Sequence, residues 1–297
     1  MNHAHDELVL GAVAYDAKVV PIWEGFRRVF QARGLPFDFV LFSTYERQVE
    51  ALLAGSVHVA WNSPLAWIEA DRLARARGRR AGALAMRDSD RDLTSVIVVR
   101  ARERDVRARE PNPGDGIAGL ADLRGRTVAV GASDSPQATL IPLGALGEAG
   151  LEPDRDFRVL RHEVAVGKHG DHIGGERDAA RALLSGDADA ACLLDATLLT
   201  LGQEGTLPPG TTRVIHQTTP YDHCNFTALD GVPGQPIDRF VSLLLEMSYD
   251  DPEIRPLMDQ EGLKAWRPGR TTGYAQLERA VTRLGAIDAW LARHGAA

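Results

Sequence analysis

Two stretches of this chain repeat one another, and the repeat limits the folds open to it more than any other feature. Residues 50–67 read EALLAGSVHVAWNSPLAW, and residues 181–198 read RALLSGDADAACLLDATL. Each reads as the end of an amphipathic helix, a glycine just past it (Gly55, Gly186), a short apolar strand and a loop into another helix. Upstream of each lies a further apolar strand, 37–42 (FDFVLF) and 157–161 (FRVLR). Before those come 8–14 (LVLGAVA) and 126–132 (RTVAVGA), each followed by a polar loop and a helix. Strand, helix, strand, helix, strand therefore occurs twice. Alternation of this kind predicts an α/β chain of two similar lobes, each a mostly parallel sheet flanked by helices.

A length of 297 residues suits two modest lobes, and 44% hydrophobic residues supply their cores. The apolar strand 93–101 carries the first crossing and 212–216 the second. Lobe 1 is then 1–98 plus 217–297, and lobe 2 is 99–216. The helical stretches 237–247, 252–263 and 273–294 are expected to pack back on lobe 1. In open parallel sheets ligands bind outside the carboxyl ends of the strands. That rule selects the loops 15–18, 43–46, 61–64, 133–139, 162–176 and Asp195, facing a cleft between lobes that closes by a hinge.

Composition excludes several classes. A net charge of -7 without a basic cluster argues against nucleic acid. No run approaches the roughly 18 apolar residues of a membrane span. The first residues, MNHAHDELVLGAVAYD, lack the basic and apolar regions of a secretory leader. The expected compartment is the cytoplasm, or the periplasm if a leader has been trimmed. Cys192 and Cys224 form no framework and read as free thiols.

Three segments resemble a known family. LADLRGRTVAVGASDSPQATLIPL (120–143) is similar to the D-L-x-G-x-x-V-A-F-G … S-x-S-x-x-x-x-P segment of the phosphonate, phosphite and phosphate binding components of ABC importers. YERQVEALLAGSVHVAWNSPLAWIEA (45–70) and SGDADAACLLD (185–195) resemble two others. The resemblance covers residues 8–220 and implies a type II periplasmic-binding-protein fold with a small anion held in the cleft. It also implies an ABC permease as partner if the chain is exported. The family's S-T-S nest becomes Ser135, Pro136 and Gln137 here. Proline suits a helix start but carries no N–H. The remaining N–H groups and the helix dipole still favour an anion. By the same resemblance His162 falls near a histidine that contacts the oxyanion, Asp195 where an aspartate binds the ligand amine, and Tyr45 on a cleft tyrosine.

Residue chemistry leaves a second reading open. The loop GKHGDHIGG (167–175) gathers Lys168, His169, Asp171 and His172 between glycines. With His162 these offer ligands for a divalent metal such as zinc, at His169 and His172, or an acid–base pair. H-x-x-H on a glycine loop is permissive rather than diagnostic. His223 and Cys224 follow Asp222. As neighbours in a strand they point to opposite faces, which weakens a nucleophilic dyad. In MRDSDRDLTS (86–95), Arg87 and Arg91 could clamp an anion, but three aspartates favour a self-neutralising turn. Ser43 with Glu46 reads as a capping box opening a helix.

The expected function is therefore binding of a phosphonate, phosphate or carboxylate. The ligand contacts are Tyr15, Tyr45, Trp61, Asn62, Ser63, Ser95, Ser135, Gln137, Thr139, His162 and Asp195. The alternative is a lyase, a decarboxylase of a hydroxylated aromatic acid, using His169, His172 and His223.

Overall fold

The computed structural model describes residues 7–101, 116–163, 165, 166, 169, 170, 172–232 and 234–294. In chain order the elements are β1 (Leu8–Val13), α1 (Val19–Ala32), β2 (Phe37–Phe42), α2 (Tyr45–Leu53), β3 (Val59–Asn62), α3 (Pro64–Ala76), β4 (Ala81–Arg87), β5 (Ser95–Arg100) and β6 (Thr127–Val130). There follow α4 (Ile141–Glu148), β7 (Arg158–Arg161), β8 (Ala165–Val166), β9 (His169–Gly170), α5 (His172–Ser185), β10 (Ala190–Leu194), α6 (Asp195–Gln203) and β11 (Thr212–Gln217). The last are β12 (Asn225–Leu229), α7 (Gly234–Leu245), α8 (Arg255–Glu261), β13 (Trp266–Pro268), α9 (Ala275–Leu284) and α10 (Asp288–Arg293).

The chain divides into two compact units. Unit 1 is Met1–Asp92, Tyr221–Ala275 and Ile287–Ala297, and unit 2 is Leu93–Pro220 and Gln276–Ala286. Unit 1 holds a six-stranded sheet, β13-β4-β12-β3-β1-β2. Unit 2 holds a five-stranded sheet, β11-β5-β10-β6-β7. The repeat read from sequence is there. β1 pairs in parallel with β2 and β3, as β6 does with β7 and β10. Gly55 and Gly186 both end their helices at positive φ, 73° and 90°, a conformation glycine adopts without Cβ strain.

Three expectations need correction. The sheets are mixed rather than mostly parallel: β12 runs antiparallel to β3 and β4, and β5 to β10 and β11. β5 and β12 each follow a passage from the other unit, so no helical crossover dictates their direction. The expected boundaries at 98/99 and 216/217 differ from the observed 92/93 and 220/221, because β5 pairs along its whole length inside sheet 2. Third, the stretch 273–294 is not one helix on lobe 1. It breaks at Gly285, φ 62°, and α9 belongs to unit 2. There α4 turns Gly144 towards it, where a Cβ would come within 2.6 Å of Ala280 Cβ. Arg279 and Arg283 reach Glu148 and Glu152 at 3.2 and 2.7 Å.

The two cores differ in substance. Unit 1 is built on Trp23, Phe26, Phe30, Phe37, Trp61, Phe226, Phe240 and Trp266, with Trp61 and Phe226 centroids 4.6 Å apart. In unit 2, Val96 and Val98 of β5 pack on one face with Leu193 and Leu201, while Ile97 and Val99 pack on the other with Leu143 and Leu146. That alternation buries both faces of the sheet. All five tryptophans and all five tyrosines lie in unit 1, and Phe157 is the sole phenylalanine of unit 2.

Candidate functional site

In unit 2 the carboxyl ends of β6, β7, β10 and β11 and the amino end of β5 share one edge of the sheet. After β6 the chain turns at residues 131–135 into a wide π-helical turn, Pro136–Leu140, that continues as α4. Pro136 brings no N–H to the first turn, and the chain closes it through Ser135. The Ser135 carbonyl accepts from both Thr139 and Leu140 N–H, at 3.2 and 3.0 Å. The Ser135 hydroxyl caps the helix, accepting from Ala138 N–H at 3.2 Å. Thr139 is held by its hydroxyl to the Ala132 carbonyl.

Around this helix start stand the other predicted residues of unit 2. Ser95 is buried, and its hydroxyl donates to the Gln137 carbonyl at 2.6 Å. Asp195 opens α6 and accepts from the Thr94 hydroxyl at 2.7 Å, which itself accepts from Gln217 Nε2. Gln137 is 6% exposed. Its Nε2 donates to Glu176 Oε1 at 3.3 Å, whereas its Oε1 has no partner. Glu176 is fully buried and also accepts from Leu194 N–H at 2.9 Å. Burial raises its pKa, against hydrogen bonds from Leu194, Thr197 and Gln137. His162 follows β7. Its Nε2 is buried without a partner, and burial lowers its pKa against the nearby Asp178.

Of the two histidines in the glycine-rich loop, only His172 has a described side chain. Lys168, Asp171 and the side chain of His169 lie outside the described residues. His172 begins α5, and its Nε2 sits 3.2 Å from Asp134 Oδ1.

In unit 1 the corresponding edge is filled with charge. Arg87, at the end of β4, grips Asp90 through Nε and Nη2 at 2.5 and 3.0 Å, lies 3.4 Å from Glu261, and stacks over Trp61. The segment 86–95 is thus the self-neutralising turn. Burial alone would raise Asp90, but Arg87 and a hydrogen bond from His223 hold it down to about 2. Burial, with Asp90 adding, pushes Glu261 up to about 7 despite Arg87 and Lys18. His223 and Cys224 are not on opposite faces: His223 Nδ1 is 3.2 Å from Cys224 Sγ and 3.3 Å from Asp90 Oδ1. Both residues precede β12, so strand alternation does not apply to them.

Asp90, His223 and Cys224 are the one group among the described residues with metal-ligand spacing. They fit zinc poorly: Arg87 already occupies both oxygens of Asp90, and burial, followed by Asp90, pushes the Cys224 thiol well up. A thiol must deprotonate to ligate.

The remaining predicted residues of unit 1 are mostly committed to structure. Trp61 is 5% exposed, inside the aromatic core. Asn62 accepts from Gln48 Nε2 and donates to Thr227. Ser63 caps α3, accepting from Ala66 N–H. The cap of α2 is Thr44, not Ser43, leaving Tyr45 half-buried as its first residue. Tyr15 is 38% exposed.

Sequence reasoning missed Glu176 and Glu261. For Glu176 a signal existed: it falls in register with Ala179, Ala180 and Leu183, the buried stripe of α5. A carboxylate on an apolar stripe marks a polar contact.

Residues 14–274 match the family described as "ABC transporter, phosphonate, periplasmic substrate-binding protein". The phosphate-import protein PhnD of Mycolicibacterium smegmatis is 25% identical over 215 residues, 72% of this chain and 62% of that protein, so the match spans less than two thirds of its length. Among solved structures, PhnD1 of Prochlorococcus marinus (MIT 9301), in complex with methylphosphonate, is 17% identical with a TM-score of 0.64, covering 95% of this chain and 99% of that one. A Xanthomonas citri protein bound to ATP is 20% identical with a TM-score of 0.66, covering 95% and 98%. These likenesses establish the type II periplasmic-binding-protein fold. No helix among the described residues is long and apolar enough to cross a membrane.

Proposed function

The chain belongs to the family of periplasmic substrate-binding proteins of phosphonate ABC transporters, and from that premise we propose that it binds a small phosphonate- or phosphate-type oxyanion for an ABC importer. The observation that carries this reading is the helix start at residues 135–140. It lies inside the matched segment, at the carboxyl edge of sheet 2, with two buried polar atoms still without partners, Gln137 Oε1 and His162 Nε2. The N–H groups of Ala138, Thr139 and Leu140 are taken by Ser135, so the attraction for negative charge here rests on the helix dipole. A ligand that supplies partners to buried polar atoms removes their desolvation penalty.

The periplasm and a membrane permease are the compartment and partner proposed with this reading, in place of the cytoplasm expected from the first residues. The family match favours binding over the lyase alternative.

Calorimetry with methylphosphonate, phosphate and phosphite tests the proposal. Saturable one-site binding of at least one of them supports it. At a hundredfold excess over Kd, such a ligand stabilises the fold by about 2.7 kcal/mol, visible as a raised Tm. Absence of heat and of any Tm shift with all three rejects it.

A further inference from the structure

Gln137 stands where the resembling family carries a hydroxyl, and its amide orientation is fixed. Nε2 donates to Glu176 Oε1 at 3.3 Å. Turning the amide over would set Oε1 against that carboxylate oxygen, acceptor against acceptor. The main chain is pinned as well, since the Gln137 carbonyl accepts from the Ser95 hydroxyl at 2.6 Å. Oε1 is therefore the atom left buried without a partner, on a side chain only 6% exposed.

Two demands meet at this point. The helix start favours a negative charge. Oε1 can be satisfied only by a hydrogen-bond donor, which a bare oxyanion lacks. A ligand meets both demands when it is an anion that keeps an acidic hydrogen.

We propose that Gln137 is a specificity-determining residue that selects a protonated tetrahedral oxyanion, a hydrogen-phosphonate or hydrogen-phosphate monoanion, over a sulfonate or sulfate. The P–OH donates to Gln137 Oε1 while the charged oxygens face the positive end of the helix, whose Ala138, Thr139 and Leu140 N–H groups are already bonded to Ser135. A sulfonate has the same shape and charge but no hydrogen. It sets an oxygen lone pair against Oε1 and leaves that atom unpaired. Sites built to hydrogen-bond a ligand group reject the analogue that lacks it far more strongly than apolar pockets reject a misfit. The inference rests on the proposed function and narrows its ligand class.

The test compares methylphosphonate with methanesulfonate by calorimetry on wild type and on Gln137→Met, which keeps the length of the side chain and removes its acceptor. Circular dichroism and Tm verify the fold of the variant. Wild type is expected to prefer methylphosphonate by at least roughly tenfold, the scale of one buried hydrogen bond. Gln137→Met should bring the two affinities within about threefold, chiefly by weakening methylphosphonate. A wild-type ratio retained in folded Gln137→Met overturns the proposal, as does wild type binding both ligands equally.

A second arm needs wild type alone. Methylphosphonate affinity should fall as pH rises through the ligand's second ionisation, while methanesulfonate, which does not titrate there, reports the protein's own groups. Those are Glu176 and His172 on α5, Asp134 before the helix start, His162 after β7 and Asp195 on α6. Tighter binding of the dianion overturns the proposal. Failure of wild type to bind any oxyanion is a different result, and removes the function on which the proposal rests.

Discussion

Four strands of each unit, β2-β1-β3-β12 in one and β7-β6-β10-β5 in the other, run in the same order with the same directions. What fills the space around them is not the same. Unit 1 packs aromatic rings and closes its strand-end edge with an ion-paired cluster, Arg87 with Asp90 and Glu261. Unit 2 packs aliphatic side chains and alanine, and its edge keeps Gln137 Oε1 and His162 Nε2 without partners. One backbone plan thus supports two chemistries. In unit 1 the cluster of Arg87, Asp90 and Glu261 is ion-paired, with Gln48 Oε1 and Arg91 Nε buried in the same unit without partners, and in unit 2 the unpartnered edge atoms are an amide oxygen and an imidazole nitrogen.

The sharpest way to break this comparison is to empty both cores. Phe226→Ala removes a ring that touches Trp23, Trp61, Phe240 and Trp266, and should cost roughly 4 kcal/mol. Val98→Ala, in the aliphatic core of unit 2, should cost only about 2 kcal/mol. Hydrogen exchange should show the loss of protection concentrated in unit 1 for the first variant and in unit 2 for the second. Equal losses, or protection lost evenly throughout, would mean that the two cores do not act separately.

A second comparison sets buried carboxyls side by side. Burial, with Glu46 adding, raises Glu69 on α3 to about 8. A carboxyl whose folded pKa lies above its unfolded one holds its proton better when folded, so it costs stability as pH rises from about 4.5 towards 8. Glu69→Gln should remove that slope and raise stability at pH 8 by up to about 3 kcal/mol. Glu176 in unit 2 is also buried but accepts three hydrogen bonds. Glu176→Gln turns an amide NH2 against one of its donors and should lose about 1 kcal/mol. Urea melts across pH 5–8.5 separate these outcomes, and a gain for both variants would contradict the contrast.

The smallest effect should be shared. Ser63 and Ser135 each precede a proline and cap a helix by accepting from the N–H three residues on. Replacing either with alanine should cost about 1 kcal/mol. If Ser135→Ala costs much less stability than Ser63→Ala yet weakens oxyanion binding, the unit 2 serine serves the ligand more than the helix.

Much of the scaffold was legible because its signals are local. Gly55 and Gly186 end helices wherever the rest of the chain goes, and the strands between them are continuous apolar runs. Directions of β5 and β12 were not legible, since they depend on the path of the chain between units. The stripe of α9 announces burial but not its partner, which the structure supplies through Gly144 against Ala280 and the ion pairs of Arg279 and Arg283 in unit 2. At the site, Ser135, Gln137, His162 and Asp195 fall together on one edge, as the strand-end rule expects. Trp61, Asn62 and Ser63 obey the same rule yet serve the core and a cap. Strand position tells which residues approach an edge, and their partners decide whether anything remains to meet a ligand.

The confinement of all five tryptophans to unit 1 has an experimental use. Indole emission excited beyond the tyrosine band reports unit 1 alone, while unit 2, with Phe157 its lone aromatic ring among Phe, Tyr and Trp, is dark in that channel. Unfolding followed by emission and by far-ultraviolet dichroism on one sample therefore shows whether the units melt together. A tryptophan placed in unit 2, for instance Phe157→Trp, would give it a signal of its own.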